Sequence, residues 1–266
     1  MKLKLSVPQW HYSMLMDYER LAIFKEAIER TVNKNDVIYD LGTGSGILAM
    51  IAGRLCKKVY GIELDPITYE FAKENIKVNG FKNIEIIEGD AKEYKFKECA
   101  DVIISEMLDT ALITEPQVPV INSIHKRGLL KEGGKIIPEK TYSTAQLVVA
   151  KMNHIYYDEE ITSKSISMEV LYETVDFYKI NDERVSYEIK LKPNISKKMT
   201  LNIGLRLNTY TQLCDGYMAG STPMLNPPLI IPIEMDYTVY PNEDIIIKLS
   251  YKRGGDFESI DCKIGD

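Results

Sequence analysis

The chain has 266 residues, enough to bury a sizeable core in one large domain or two smaller ones, and two is the reading adopted from the patterning that follows. Hydrophobic residues make up 45% and charged residues 27%, with no apolar run near the roughly 20 residues that span a bilayer, so a membrane protein is not expected. A net charge of -6 does not supply the basic footprint of a nucleic-acid-binding domain, which disfavours long RNA or DNA as a partner without excluding it.

The first residues, Met1 to Pro8, lack the apolar stretch and small-residue cleavage site of a secretory signal, so a cytoplasmic location is expected. Between Met14 and Ile28 apolar side chains return at helical spacing, and this segment reads as one amphipathic helix ahead of the first strand. Val37-Ile38-Tyr39-Asp40-Leu41 is a buried strand that runs into Gly42-Thr43-Gly44-Ser45-Gly46, and Ile47 to Leu55 resumes the helical pattern. A second strand, Val59 to Ile62, ends at Glu63. Asp65-Pro66 then supplies an N-cap and a first-turn proline for a helix that closes near Asn79-Gly80. Ile84 to Ile87 and Asp101 to Ser105 make the third and fourth strands, a helix follows over about 116–126, and Gly133 to Pro138 leads into a fifth strand. Alternating strand and helix predict a parallel α/β sheet for residues 1–138.

From Glu139 onward the period changes to two. Leu201, Ile203, Leu205 and Leu207 alternate with polar or small residues, as do Ile245, Ile247, Leu249 and Tyr251; with Thr144 to Ala150 and Leu229 to Tyr240 they predict a mostly-β, barrel- or sandwich-like domain over 139–266. Cys56, Cys99, Cys214 and Cys262 are scattered without metal-ligand spacing, so buried thiols are expected rather than a disulfide framework, and no metal site.

The glycine-rich turn between strand and helix lets a ligand approach the backbone at Gly44 and Gly46. Its spacing is GxGxG, with Ile47 where a dinucleotide fingerprint wants its third glycine region, and no Gly-Lys-Ser/Thr ending follows, so both NAD and ATP are disfavoured. Glu63 stands 17 residues after Gly46 and can accept from both hydroxyls of a ribose, as the nucleoside of S-adenosylmethionine requires. Asp90, after the third strand, is placed to meet an adenine amino group, a role that backbone groups can also fill; a solvated strand end remains the alternative for both acids.

The loop and its flanks resemble class I S-adenosylmethionine-dependent methyltransferases. A narrower likeness is carried by His11-Tyr12-Ser13-Met14-Leu15-Met16-Asp17-Tyr18-Glu19-Arg20, similar to the H-x-x-M-L-x-D-x-x-R signature of protein arginine methyltransferases, and by Ser105-Glu106-Met107-Leu108 through Glu115, which resembles that family's double-glutamate loop with its nine-residue separation. The likeness covers about half the chain, ending near Pro138. It implies a Rossmann-like sheet with S-adenosylmethionine as cofactor. Arg20 would pair with the cofactor carboxylate, Met14 pack near the sulfonium or the acceptor, Asp40 brace the site, Glu63 hold the ribose, and Glu106 and Glu115 grip an acceptor guanidinium in a protein or peptide substrate. Met14 also fits plain helix core, Arg20 a surface ion pair with Asp17 or Glu19, and Glu115 a cap before Pro116.

The chain departs from that family in three respects. Its Thr-His-Trp loop is missing, since the single tryptophan is Trp10 and the histidines are His11, His125 and His154; Asp109 and Thr110 replace aromatic or small residues within the acidic loop; and the second half leaves little room for the helical arm through which the family dimerises. Two carboxylates suit any cationic or amide nitrogen, so the pair argues for a nitrogen acceptor more firmly than for arginine. The alternatives are an RNA- or small-molecule-directed amino-group methyltransferase, prompted by Asn226-Pro227-Pro228-Leu229, and a non-catalytic S-adenosylmethionine-binding protein. The Asn-Pro-Pro segment comes too late in the chain for the first and reads as a turn before a strand. Tyr156, Tyr157, Tyr210 and Tyr217 fit packing as well as an acceptor groove.

Overall fold

The computed structural model describes residues 3–157, 160–241 and 243–265; Met1 and Lys2 of the N-terminal segment considered above for a signal lie outside them. The amphipathic segment before the sheet is two helices, α1 (Gln9–Met16) and α2 (Tyr18–Thr31), where periodicity predicts one. Asp17 breaks it: with ψ near 80° it leaves helical space, and its side chain accepts from the Arg20 backbone N–H at 3.0 Å as the N-cap of α2. The break puts Met14 and Arg20 on different helices, so that both turn toward one cavity.

The parallel sheet follows. β1 (Val37–Leu41) is buried along its whole length, and the Gly-rich turn leads to α3 (Ile47–Gly53). β2 (Lys58–Glu63), α4 (Pro66–Val78), β3 (Ile84–Glu88), β4 (Ala100–Ser105), α5 (Gln117–Lys126) and β5 (Leu130–Ile137) complete the half, in strand order β3-β2-β1-β4-β5. Every neighbouring pair is parallel. The direction of winding reverses between β1 and β4, and the carboxyl edge there is where doubly wound sheets bind ligands. Strand β5 begins three residues before the predicted Gly133 turn, because Leu130 already pairs with Ala100.

The second half holds β6 (Lys140–Val149), β7 (Tyr156–Tyr157), β8 (Lys164–Ser165), β9 (Val170–Asp176), β10 (Arg184–Leu191), β11 (Met199–Cys214), β12 (Tyr217–Ala219), β13 (Leu229–Val239), β14 (Ile245–Lys252) and β15 (Asp261–Ile264). They form two antiparallel sheets, one of order β7-β13-β11-β6-β8 with β9 on β6 and β12 on β11, the other β10-β14-β15. Leu205 and Leu207 of the first share a buried core with Ile189, Ile247 and Leu249 of the second, which makes this half sandwich-like. We place the division of the chain at Pro138–Glu139, between the last parallel strand and the first antiparallel one. The halves nonetheless interlock: Val175, Phe177 and Leu213 enter the core of the parallel sheet, and Ala111 and Ile113 enter that of the sandwich. Among the described residues no helix is long and apolar enough to cross a membrane.

Candidate active site

The loops after β1, β2, β3 and β4 border one cavity of about 680 Å³, which α1, α2, α5 and the β-rich half also line. In the glycine turn, Gly42, Gly44 and Gly46 all have positive φ, at 70°, 55° and 80°. At Gly42 a Cβ would sit 2.8 Å from the Met107 Cγ, so the turn is packed directly on the loop after β4. Gly46 is the N-cap of α3, and the turn is anchored by the Gly42 and Thr43 amides donating to the Ile62 carbonyl at 3.0 and 2.9 Å. Asp40 and Gly46 do not border the cavity. Asp40 stands behind the turn, accepting from Thr43 Oγ1 at 2.6 Å, and burial pushes its carboxyl up to about 6 against the pull of that hydrogen bond. Asp40 thus reaches the turn through Thr43, and Gly46 contributes its left-handed backbone at the start of α3.

Glu63 borders the cavity with both oxygens already oriented, one accepting from the Gly44 N–H at 2.9 Å and the other from the Asp65 N–H at 3.0 Å. Each oxygen keeps a lone pair, which is the acceptor set that two vicinal hydroxyls need. Asp90 also borders the cavity, held by the Lys92 N–H at 2.8 Å.

Arg20 is 4% exposed, and its guanidinium forms an ion pair with Glu106 and donates to the Met14 carbonyl at 3.3 Å. The surface-pair alternative with Asp17 or Glu19 is thereby excluded: Asp17 accepts from the Arg20 backbone N–H rather than from its guanidinium, and the Arg20 side chain spans from α2 to the loop after β4. Desolvation lowers its pKa to about 10, opposed by Asp17 and Asp40, so it stays charged at neutral pH. Its buried Nε has no hydrogen-bond partner among the described residues, leaving a donor for an anionic group. Together with the glycine turn and Glu63, this donor set fits an S-adenosylmethionine whose carboxylate would meet Arg20 and whose ribose would meet Glu63.

The acidic loop brings three carboxylates to the same cavity: Glu106, Asp109 and Glu115. Gln117 pins its start, its Oε1 accepting from Ser105 Oγ at 3.0 Å and the Met107 N–H at 3.1 Å. Midway, in the 3-10 turn Thr110–Leu112, Ala111 and Leu112 take φ values of 58° and 57°, a conformation that costs an ordinary residue about 1 kcal/mol or more. Asp109 closes the loop from inside by accepting from the Thr114 N–H (2.7 Å), Thr114 Oγ1 (3.0 Å) and the Glu115 N–H (3.4 Å). Burial pushes the Asp109 carboxyl up to about 7, and the charge of Glu115 adds to the shift. Glu115 itself is at the exposed rim, yet desolvation by the surrounding walls raises its carboxyl too.

The wall opposite includes side chains that no local pattern marks. Pro223, Met224 and Pro227 border the cavity, and their segment is tied to the N-terminal helices by Asp17, which accepts from Thr222 Oγ1 at 2.5 Å and the Met224 N–H at 3.0 Å. Asn226-Pro227-Pro228 is therefore the turn before β13, and of the three only Pro227 borders the cavity. Asn226, fully buried, donates to Thr211 Oγ1 at 2.9 Å and does not border the cavity, which removes the amide expected of an amino-group methylase motif. Tyr157 and His11 border the cavity; Tyr210 and Tyr217 lie elsewhere, bonded to Glu169 and Glu26.

The family model described as Ribosomal protein L11 methyltransferase (PrmA) matches residues 22–166. An uncharacterized protein of Methanocaldococcus jannaschii is 63% identical over 265 residues, covering 100% of both chains. The Arginine N(omega)-methyltransferase of Streptomyces achromogenes is 31% identical over 160 residues, 56% of this chain and 44% of that protein, so the match spans less than half of its length. In fold, a chain of the Trypanosoma brucei PRMT1 enzyme-prozyme heterotetrameric complex with AdoHcy superposes with a TM-score of 0.75 at 18% identity, covering 91% of this chain and 87% of that one. The family model spans more than half of the chain, and the chain belongs to the PrmA family of class I S-adenosylmethionine-dependent methyltransferases.

Proposed function

We propose that the chain is a cytoplasmic N-methyltransferase whose acceptor is the guanidinium of an arginine side chain in a protein or peptide. The observation that carries this reading is that Glu106, Asp109 and Glu115 border the same cavity as the glycine turn and Glu63. The cofactor, when bound, supplies a methyl on a sulfonium for in-line displacement, a reaction in which position and electrostatic field are the main contributions required of the protein.

An arginine stays protonated because its pKa exceeds about 12, and its nitrogens are poor nucleophiles. Glu106 and Glu115, by accepting charge-assisted hydrogen bonds, draw positive charge toward the nitrogens they hold and aim the remaining one at the donor. Glu106 already accepts a guanidinium, that of Arg20, which orients its carboxylate between the two binding regions. Glu115, at the rim and with a raised pKa, passes the proton lost on methylation to solvent. Met14, Met107, Met224 and Pro227 supply apolar walls for the aliphatic stem of the acceptor and keep the site's dielectric low. The likeness to proteins named for methylating ribosomal protein L11 and arginine supports an acceptor of this kind. The free thiols of all four cysteines suit a reducing cytoplasm.

Purified protein, labelled S-adenosylmethionine and either a Gly-Arg repeat peptide or whole-cell extract should yield methylarginine, read by mass spectrometry, with release of S-adenosylhomocysteine. Losing one charged hydrogen bond, Glu115→Gln should lower transfer about 10- to 100-fold while S-adenosylhomocysteine still binds. Label on RNA or a small amine, cofactor binding without any turnover, or full activity in Glu115→Gln would overturn the proposal.

A further inference from the structure

A continuous set of buried polar contacts runs from the centre of the β-rich half to the acidic loop. Arg253 and Glu173, 5% and 6% exposed, form an ion pair between the two antiparallel sheets. Glu173 also accepts from Tyr251 OH at 3.3 Å and from Ser143 Oγ at 3.2 Å. Ser143 Oγ lies 3.4 Å from Thr209 Oγ1, and Thr209, on β11 and 1% exposed, accepts from the Ala111 N–H at 2.8 Å. The other sheet reaches the same turn by backbone: immediately after Arg253, the Gly254 N–H donates to the Leu112 carbonyl at 3.0 Å and the Gly255 N–H to the Ile113 carbonyl at 2.8 Å.

Ala111 and Leu112 are the two left-handed residues of the acidic loop, and neither is glycine. Nothing in their side chains favours that conformation, so it persists through contacts from outside. It is also where the loop turns back, allowing Asp109 to reach Thr114 and Glu115 and allowing Glu106 and Glu115 to border one cavity. A buried amide such as that of Ala111 requires an acceptor, and a side chain 98 residues away provides it.

We infer that Thr209 is a positioning residue for methyl transfer: by accepting the Ala111 amide it holds the left-handed turn that presents Glu106 and Glu115 to the same cavity. The inference rests on those glutamates being the acceptor carboxylates. Thr209 touches neither cofactor nor acceptor; it acts through the loop, and the Arg253–Glu173–Ser143 contacts fix its hydroxyl in turn. The β-rich half is thereby a template for the acceptor side of the site, while the glycine turn and Glu63 are built within the parallel sheet.

The test compares Thr209→Val, which keeps the shape and removes the hydroxyl, with Thr209→Ser, which keeps the hydroxyl. Three measurements are made on the full chain: hydrogen–deuterium exchange of the segment 106–116, calorimetric affinity for S-adenosylhomocysteine, and kcat and KM on a Gly-Arg repeat peptide. Thr209→Val should exchange in that segment about tenfold faster, bind S-adenosylhomocysteine within about twofold of wild type, and lose about tenfold or more in kcat/KM, all restored in Thr209→Ser. Unchanged exchange, faster exchange with wild-type kcat and KM, or a Thr209→Ser variant as impaired as Thr209→Val would overturn the inference. Should Thr209→Val not fold, exchange in the wild type decides: an Ala111 amide protected like those of β11 supports it, and one exchanging like an exposed loop overturns it. A wild type inert on the peptide refutes the arginine reading alone; the extract's labelled acceptor then replaces the peptide, and the exchange measurement stands as before.

Discussion

Replacing Arg20 with Met removes a guanidinium that is 4% exposed and leaves Glu106, itself 8% exposed, without its cationic partner. Breaking a buried pair from one side costs about 3–5 kcal/mol, because the remaining charge stays desolvated. For a chain of this size that corresponds to a fall in Tm of roughly 6 to 20 °C. The double variant Arg20→Met/Glu106→Gln removes the orphaned charge and should recover a substantial part of the loss, so it is expected to be more stable than the single variant. Thermal unfolding followed by circular dichroism measures both. Repeating it with S-adenosylhomocysteine at about 100 times the wild-type Kd adds roughly 2.7 kcal/mol to the wild type, and that increment should largely vanish in Arg20→Met if the guanidinium also holds the cofactor carboxylate. A single variant within about 1 kcal/mol of wild type, or a double variant no more stable than the single, would refute the buried-pair reasoning. Full stabilisation of Arg20→Met by S-adenosylhomocysteine would refute the cofactor contact.

Asp109 provides a pH signature. Its folded-state pKa is raised to about 7 from 3.8, so between those values the folded protein binds the extra proton and stability falls as pH rises, by an amount on the order of 4 kcal/mol in all. Urea unfolding of wild type and Asp109→Asn from pH 5 to 8 should show the wild type losing ground to the variant across that window; parallel curves would show that the shift is absent. Gly42→Ala should weaken S-adenosylhomocysteine binding, since the left-handed φ and the contact of 2.8 Å with Met107 force the turn to move, and calorimetry with wild-type affinity would count against the packed-turn reading. Glu63→Ala removes the acceptor of the Gly44 and Asp65 amides together with the carboxylate proposed to meet the ribose, and a drop of about 10- to 100-fold in S-adenosylhomocysteine affinity is expected by the same measurement.

The glycine turn and the strand end at Glu63 were legible from the chain because their signals are local. A β-branched run ending in Asp40-Leu41, three glycines before a helical pattern, and Glu63 closing the next strand specify a parallel unit and its ligand edge from neighbours within a few dozen residues. By resemblance, the signature around Met14 and Arg20 was read as cofactor-binding and the paired glutamates as acceptor-binding, and all four of these side chains border the cavity. Periodicity missed the break at Asp17, since a helix N-cap inside an otherwise continuous apolar stripe changes no period; only the carboxylate's bonds to Arg20, Thr222 and Met224 reveal it.

What remained hidden is what long-range contact decides. The Arg20–Glu106 pair joins residues 86 apart, Asp17 meets Thr222 across 205, and Ala111 meets Thr209 across 98. Local patterns record backbone preference and which face is apolar, so they name the elements; they carry no information on which far segment supplies the partner for a buried amide or charge. The sheet and its glycine turn follow from the chain read in order, whereas the wall of Pro223, Met224 and Pro227 and the left-handed turn at Ala111 and Leu112 exist only once both halves have packed against each other.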